Sequence, residues 1–184
     1  MYFIAIIPPQ EICDAITEFK KDFADRFQSK TALKIIPHIT LKAPFKFSMA
    51  DNEQTIRWFN NMTISVSSFQ QELKDFGAFH NRRNPVVFVK PVLNESLRKL
   101  QNEVIQNLQG TDAAGQVVKS ELDFSPHITI AYRDLQPAMF KKAWPEYRLK
   151  SFNAMFDVND FHLMQHDGRV WNSISSFSLN ESVQ

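Results

Sequence analysis

The tetrapeptide Pro-His-Ile-Thr occurs twice in this chain of 184 residues, at 37–40 and at 126–129. Each copy follows an apolar strand segment and an amphipathic helix. In the first part of the chain these elements are predicted at residues 2–7, 10–30 and 35–41, and in the second part at 86–92, 93–109 and 126–132. The repeated order predicts a degenerate internal duplication, with approximate halves 1–85 and 86–184, that folds as a single bilobal domain.

Apolar periodicity predicts the elements in detail. In the first helix, Ile12, Ile16, Phe19, Phe23 and Phe27 form one stripe, with Lys20 and Lys21 off it. Further along, a capping-box pattern at Ser48 and Asp51 opens a helix to about residue 62. The remaining segments are predicted as strands at 63–70, 72–79 and 152–158, a helix at 136–144 closed by Pro145, and a hairpin around a two-residue turn at Asp167-Gly168.

Short strands joined partly by hairpins favour an α+β fold. We expect two pseudo-symmetric lobes, each with a mainly antiparallel sheet flanked by helices, and a groove between them. The composition is 43% hydrophobic and includes 17 phenylalanines, which suffices for a sizeable core.

Charge and cysteine content exclude several classes of protein. The net charge of +1 argues against binding of long DNA or long RNA, because such proteins carry a large positive excess. Cys13 is the only cysteine, so neither a disulfide within the chain nor a cysteine-rich zinc site can form. The apolar N-terminal run stops at Pro8 and predicts a strand, not a signal peptide. No apolar run approaches the ~20 residues of a membrane span, and we expect a cytoplasmic protein.

The paired motif suggests acid–base chemistry. Residues i and i+2 of a strand share a face, so His38 projects with Thr40 and His127 with Thr129. If the halves pack about a pseudo-two-fold axis, the two pairs meet across one groove. A neutral imidazole can accept the proton of an attacking water or hydroxyl, and an imidazolium can protonate the departing oxygen. Threonine hydroxyls can donate to phosphate oxygens, so the motif predicts phosphodiester chemistry that needs no metal or other cofactor.

Two alternatives remain open at this point. A single His-x-Thr on a strand is commonly a half-buried histidine bonded to a neighbour, and a duplication can retain such a pair for structural reasons. The groove is also suited to recognising an RNA end or a small nucleotide without turnover.

The residues resemble a known family. The segments PHITLKAPF and SPHITIAYRD are similar to the two signature motifs of the two-histidine (2H) phosphoesterase superfamily, which includes bacterial 2′-5′ RNA ligase and cyclic phosphodiesterase proteins. Supporting similarity comes from FIAIIPP, from FGAF with NPVVFV, and from HDGRVW near the end. The resemblance implies a bilobal fold with a positively charged groove.

For function, the resemblance implies metal-independent chemistry on 2′,3′-cyclic phosphates or 2′-5′ linked nucleotides, either hydrolysis or ligation. His38 and His127 would be the acid–base pair, and Thr40 and Thr129 would hold the phosphate. The expected partners are RNA ends or a small nucleotide with a cyclic phosphate. We expect a monomer, because the fold supplies its own pseudo-symmetric partner.

Residues beside the motifs are candidates for substrate binding. By strand parity Lys42 shares the face of Thr40, and Arg133 shares that of Thr129. Tyr132 would face away unless a bulge exchanges it with Arg133. A nucleobase could stack on Phe45 or on Phe124, although a core position is the favoured alternative for both.

The remaining charged and histidine candidates are expected to be peripheral. Lys46, Arg82 and Arg83 would add positive charge at the rim of the groove or remain solvated. His162 and His166 are four residues apart, but their strand context argues against a metal site. His80 is expected in an exposed turn.

Overall fold

A computed structural model describes residues 1–47 and 51–181, and Ser48 of the predicted capping box lies outside them. The chain forms eight strands and five α-helices within these ranges. In chain order they are β1 (Tyr2–Ile6), α1 (Gln10–Phe27), β2 (Ile39–Phe45), α2 (Asn52–Asn60), β3 (Phe69–Phe79), β4 (Val86–Pro91), α3 (Glu95–Gln106), α4 (Lys119–Leu122), β5 (Ile128–Ala131), α5 (Pro137–Tyr147), β6 (Asn153–Val158), β7 (Asp160–His166) and β8 (Trp171–Ser178). None of the described helices is long and apolar enough to cross a membrane.

The strands form two four-stranded sheets, each belonging to one lobe. The first sheet has the order β2-β1-β7-β8 and the second has the order β5-β4-β3-β6. All neighbouring strands within each sheet are antiparallel. The predicted α+β class with two antiparallel lobes is therefore confirmed.

The lobes are not the contiguous halves 1–85 and 86–184. β3 pairs with β4 and β6 in the second sheet, and β7 returns to pair with β1 in the first. The duplication survives in a smaller unit, because β1-α1-β2 and β4-α3-β5 each consist of a strand, a helix and a motif strand. Sequence order misassigned the boundary because each sheet takes its other two strands from a different part of the chain.

The helices of the repeated units cross between lobes. α1 follows a strand of the first sheet yet packs against β5 of the second, and α3 follows a strand of the second sheet yet packs against β2 of the first. β2 and β5 are the edge strands of their sheets. This exchange brings the two motif-bearing edges toward each other.

Aromatic side chains join the layers. Phe19 and Phe23 of α1 contact Phe76 of β3 and Tyr147 of α5, with ring centroids 4.9 Å and 4.6 Å apart respectively. Tyr147 is fully buried and donates to an Asp22 carboxylate oxygen at 2.8 Å. The first lobe's helix is therefore fixed firmly on the second sheet, which matters because α1 also reaches the groove.

Several local predictions are wrong. Residues 63–68 are largely irregular, so a single strand, β3, replaces the two that were predicted. Pro145 does not close the helix but lies inside α5, which continues to the buried Tyr147. Because Pro145 is in the last turn, the backbone hydrogen bond that a proline cannot donate affects little of the helix. The predicted two-residue turn at Asp167-Gly168 is a longer loop, 167–170, in which the Asp167 carboxylate accepts from two backbone amides.

Candidate active site

The two motif histidines are held in the same way. His38 Nδ1 lies 2.7 Å from the carbonyl oxygen of Ile36, and His127 Nδ1 lies 2.9 Å from that of Ser125. A carbonyl oxygen can only accept, so Nδ1 is the donor in both rings. In each neutral ring Nε2 is consequently the unprotonated nitrogen, available as a proton acceptor.

Aromatic rings of the neighbouring strand support each imidazole. On β1, Phe3 packs against His38 with a centroid separation of 4.9 Å, and on β4, Phe88 packs against His127 at 5.5 Å. β1 and β4 hold the same position in their sheets. The Phe88 ring lies over Gly77 of β3, where a Cβ atom would collide with it, so Gly77 makes room for the ring that positions His127.

The motif residues line two adjoining cavities. The first, which we call the His38 cavity, has a volume of about 230 Å³ and is lined by His38, Thr40 and Thr129 among others. The second, the His127 cavity, has a volume of about 530 Å³ and is lined by His127 and again by Thr40. Because Thr40 borders both, the cavities adjoin as one groove, and all four motif residues line it.

Burial lowers the pKa of both imidazoles. It lowers the pKa of His38 from 6.5 to about 4, against the opposing effect of the hydrogen bond to Ile36, and the positive charges of Lys20 and of protonated His127 lower it further. Burial likewise lowers the pKa of His127, against its bond to Ser125. A charge on His127 therefore disfavours protonation of His38.

This depressed pKa predicts a pH-dependent stability. Between about pH 4 and pH 6.5 the unfolded chain binds more protons at residue 38 than the folded chain, so acid destabilises the fold. Replacing His38 by Gln removes the effect. When the pH is lowered from about 7.5 to about 5, the free energy of unfolding, measured with urea, should fall by about 1–2 kcal/mol less in His38→Gln than in wild type. An equal fall in both proteins would contradict this prediction. So would an equally reduced fall in His80→Gln, the control at an exposed histidine.

Lys42 does not reach the groove, contrary to the parity prediction. The register between β1 and β2 shifts between Ile4 and Ala5, so that Thr40 pairs with Ala5 and Lys42 with Ile4. Directly paired residues share a face, so the shift puts Lys42 on the face opposite to Thr40. Lys42 is 1% exposed and its ammonium contacts both carboxylate oxygens of Glu121 at 3.0 and 3.1 Å.

Arg133 and Tyr132 both line the His38 cavity. β5 ends at Ala131 and Arg133 has a φ of +61°, so strand parity no longer applies there. The Arg133 guanidinium carbon lies 5.2 Å from the centroid of the Tyr132 ring. The chain turn therefore places the cation and the ring on the same cavity.

Phe45 is a core residue and not a stacking surface. It is 1% exposed and packs against Tyr2, Phe47 and Trp58. Phe124 borders the His127 cavity. Phe124 is also buried, at 9% exposure, and belongs to the hydrophobic core, so the predicted core role holds for both phenylalanines.

The residues of the His38 cavity that sequence reasoning missed include Phe3, Lys20 and Trp171. Phe3 contacts both the His38 ring and Trp171, the latter with centroids 4.6 Å apart. Lys20 lies outside the predicted apolar stripe of α1, yet it is buried, as are Cys13, Ile16 and Phe23 of the same helix. Its spacing of seven from Cys13 and four from Ile16 was the available signal.

The peripheral candidates lie away from this centre. Lys46, Arg82 and Arg83 are exposed and are not among the residues lining either cavity. His162 lies on β7 with Nε2 3.2 Å from Asp160 Oδ1, and His166 accepts from the Gly168 amide. Among residues 1–47 and 51–181, no group of three or more His, Cys, Asp or Glu side chains is placed to hold a metal ion.

Comparisons with known proteins agree with this arrangement. The family profile of the 2′-5′ RNA ligase superfamily matches residues 8–170. A protein of Geobacillus kaustophilus named "Putative phosphoesterase" is 29% identical over 177 residues, which cover 96% of this chain and 94% of the relative. One of the same name from Staphylococcus aureus strain Newman is 23% identical, over 96% of this chain and 97% of the relative.

Solved structures share the two-lobe fold. The protein TT0787 of Thermus thermophilus superimposes with a TM-score of 0.68 at 22% identity, covering 99% of each chain. E. coli LigT complexed with 3′-AMP gives 0.68 at 21% identity, covering 98% of each.

Proposed function

The chain belongs to the 2′-5′ RNA ligase superfamily of 2H phosphoesterases, and we propose that it is a metal-independent phosphoesterase acting on an RNA-type 2′,3′-cyclic phosphate or 2′-5′ phosphodiester. One observation carries the proposal. Two His-x-Thr pairs from edge strands of different sheets line one groove, and each histidine has Nδ1 bound to a carbonyl oxygen two residues earlier.

The proposed reaction places the phosphorus at the centre of the groove. A neutral histidine accepts a proton at Nε2 from water as the water oxygen bonds to phosphorus. The bond from phosphorus to one ribose oxygen breaks, and the second histidine, as imidazolium, donates its proton to that oxygen. Thr40 and Thr129 donate hydrogen bonds to the non-bridging oxygens as negative charge develops. With a ribose hydroxyl in place of water, the same groups exchange a 2′-5′ linkage and a cyclic phosphate.

The surroundings favour different roles for the two histidines. The cation Lys20 opposes protonation of His38, so His38 is assigned as the base. His127 borders a cavity whose described lining contains no lysine or arginine but includes Asp123 and the Glu121 carboxylate, which is paired with Lys42. An adjacent phosphate anion further favours the imidazolium form, so His127 is assigned as the acid.

A nucleoside fits the aromatic walls of the His38 cavity. Tyr132 and Trp171 are partly exposed aromatic residues beside His38 and Thr40, and bases stack on such rings with little sequence preference. LigT, which shares the fold, has been crystallised with 3′-AMP. A ribose 3′-phosphate is the product expected when a 2′,3′-cyclic phosphate opens at its 2′ oxygen.

The test is hydrolysis of the four nucleoside 2′,3′-cyclic phosphates, and of a 2′-5′ linked dinucleotide, in the presence of EDTA. We expect turnover in EDTA and a single phosphate regioisomer, identified by ³¹P NMR. Nucleotide-dependent thermal stabilisation without product from any of these substrates would instead support a non-catalytic nucleotide-binding module. Activity abolished by EDTA and restored by a divalent metal would refute the metal-independent mechanism.

A further inference from the structure

Lys20 is a buried cation on the wall of the His38 cavity. It projects from α1, its residue is 2% exposed, and its Nζ donates to the carbonyl oxygen of Ile35 at 2.6 Å. It also lines the cavity beside His38 and Arg133. The side chain therefore reaches through the core of the molecule to the site at which the proposed reaction takes place.

The ammonium has donors to spare. A lysine carries three N–H donors, and among residues 1–47 and 51–181 the Ile35 carbonyl is the acceptor found for it. No carboxylate in those ranges lies within ion-pair distance of Nζ. A buried charge without a counter-charge is costly, so the folded chain bears a free-energy cost that an anion in the cavity would offset.

Burial lowers the pKa of Lys20 to about 8. The amine accordingly remains mostly protonated at neutral pH and can act as a cation there. The two buried lysines differ in their partners, because Lys42 has the Glu121 carboxylate as its counter-charge.

The two cavities differ in charge. Arg133 places a second cation on the His38 cavity. In the His127 cavity the corresponding helix, α3, contributes the neutral Gln101, and of the two acidic residues Glu121 is neutralised by its ion pair with Lys42, which leaves Asp123. The groove is thus cationic at its His38 end, where a substrate anion would be favoured.

We propose that the Lys20 ammonium binds a phosphate group of the substrate in the His38 cavity. The inference rests on the proposed function, since it takes the substrate to be a phosphoester. The phosphate is either the reacting group between the histidines or a second phosphate elsewhere on the nucleotide. Both sources offer the same chemistry, namely anionic oxygens that accept N–H bonds from a buried cation.

The variants separate charge from packing. Lys20→Gln keeps a donor for the Ile35 carbonyl but removes the charge, whereas Lys20→Arg keeps the charge. Lys21→Gln is the matched control, because Lys21 is the next residue of α1, is exposed and pairs with Glu18 at 2.7 Å. A merely structural lysine would change the melting temperature without changing affinity for an anion.

Inorganic phosphate is the first probe, with binding followed through the histidine ring signals in NMR. We expect Lys20→Gln to weaken phosphate binding by about tenfold or more, Lys20→Arg to recover part of it, and Lys21→Gln to match wild type. Unchanged phosphate affinity in folded Lys20→Gln would overturn the proposal. The proposal would also be overturned if a stabilising osmolyte, which restores only the stability of Lys20→Gln, fully restored its phosphate binding.

Kinetics then identify which phosphate is bound, using a nucleoside 2′,3′-cyclic phosphate with and without a 5′-phosphate. An equal loss of kcat/KM for both in Lys20→Gln assigns the reacting group, and a loss confined to the 5′-phosphorylated substrate assigns a second phosphate. Either supports the role of Lys20, and no loss for either refutes it. If wild type turns over neither substrate, the proposed function fails by itself, while the phosphate titration still decides whether Lys20 binds an anion.

Discussion

Replacing either His38 or His127 by alanine is expected to lower turnover of the proposed phosphoester substrate by about 10²–10⁴-fold, the usual contribution of a positioned acid or base. Both imidazoles line the centre of the groove, and each has Nδ1 committed to a carbonyl oxygen. Neither can substitute for the other, because one must accept a proton while the other donates one. Initial-rate measurements with urea unfolding as a check of the fold test this expectation.

The control is His80→Ala, which removes an imidazole from an exposed turn and should leave turnover unchanged. A 2′-5′ dinucleotide with sulfur in place of the departing 5′ oxygen separates the roles, because a thiolate leaves without a proton. His127→Ala should then recover much of its activity, whereas His38→Ala should not. Full activity of either alanine variant on the normal substrate would refute the two-histidine mechanism, and the reverse pattern on the sulfur substrate would exchange the roles.

The sequence was most informative where a pattern was both local and repeated. The doubled motif predicted two strands with histidine and threonine on a shared groove, and Thr40 and Thr129 do line the same cavity. Apolar spacing located α1 and α3 to within a few residues. These predictions succeed because side-chain periodicity depends on the element's own geometry.

Predictions that depended on long-range pairing were less successful. Lys42 follows Thr40 by two residues, but a register shift imposed by β1 reverses its face. β7 joins β1 across more than 150 residues of chain, so the lobe boundary is not visible in the order of elements. Phe3 and Trp171 belong to FIAIIPP and HDGRVW, which supported the resemblance but carry no His-x-Thr pair, so their place in the site follows from tertiary structure.

Lys42 retains an important role, although not the predicted one. Its ammonium, two residues after Thr40, pairs with Glu121, six residues before His127, and Glu121 also accepts from the Ala43 and Val118 amides. The pair therefore links the β2 edge to the segment that leads into β5. It is buried on both sides, with side chains 1% and 8% exposed.

Lys42→Met is expected to reduce the free energy of unfolding by about 3–5 kcal/mol, because it leaves the buried Glu121 carboxylate without its counter-charge. Lys42→Met combined with Glu121→Gln should recover part of the loss, since it removes the stranded charge while its amide oxygen still accepts from one of the two backbone amides that now donate to separate carboxylate oxygens. Urea unfolding at about pH 7.5 measures both, with the exposed Lys46→Met as the matched control. If Lys42→Met is no more destabilising than Lys46→Met, the pair is not desolvated in solution. If the double variant stays as unstable as the single one, the loss arises from packing of the lysine chain and not from the stranded charge.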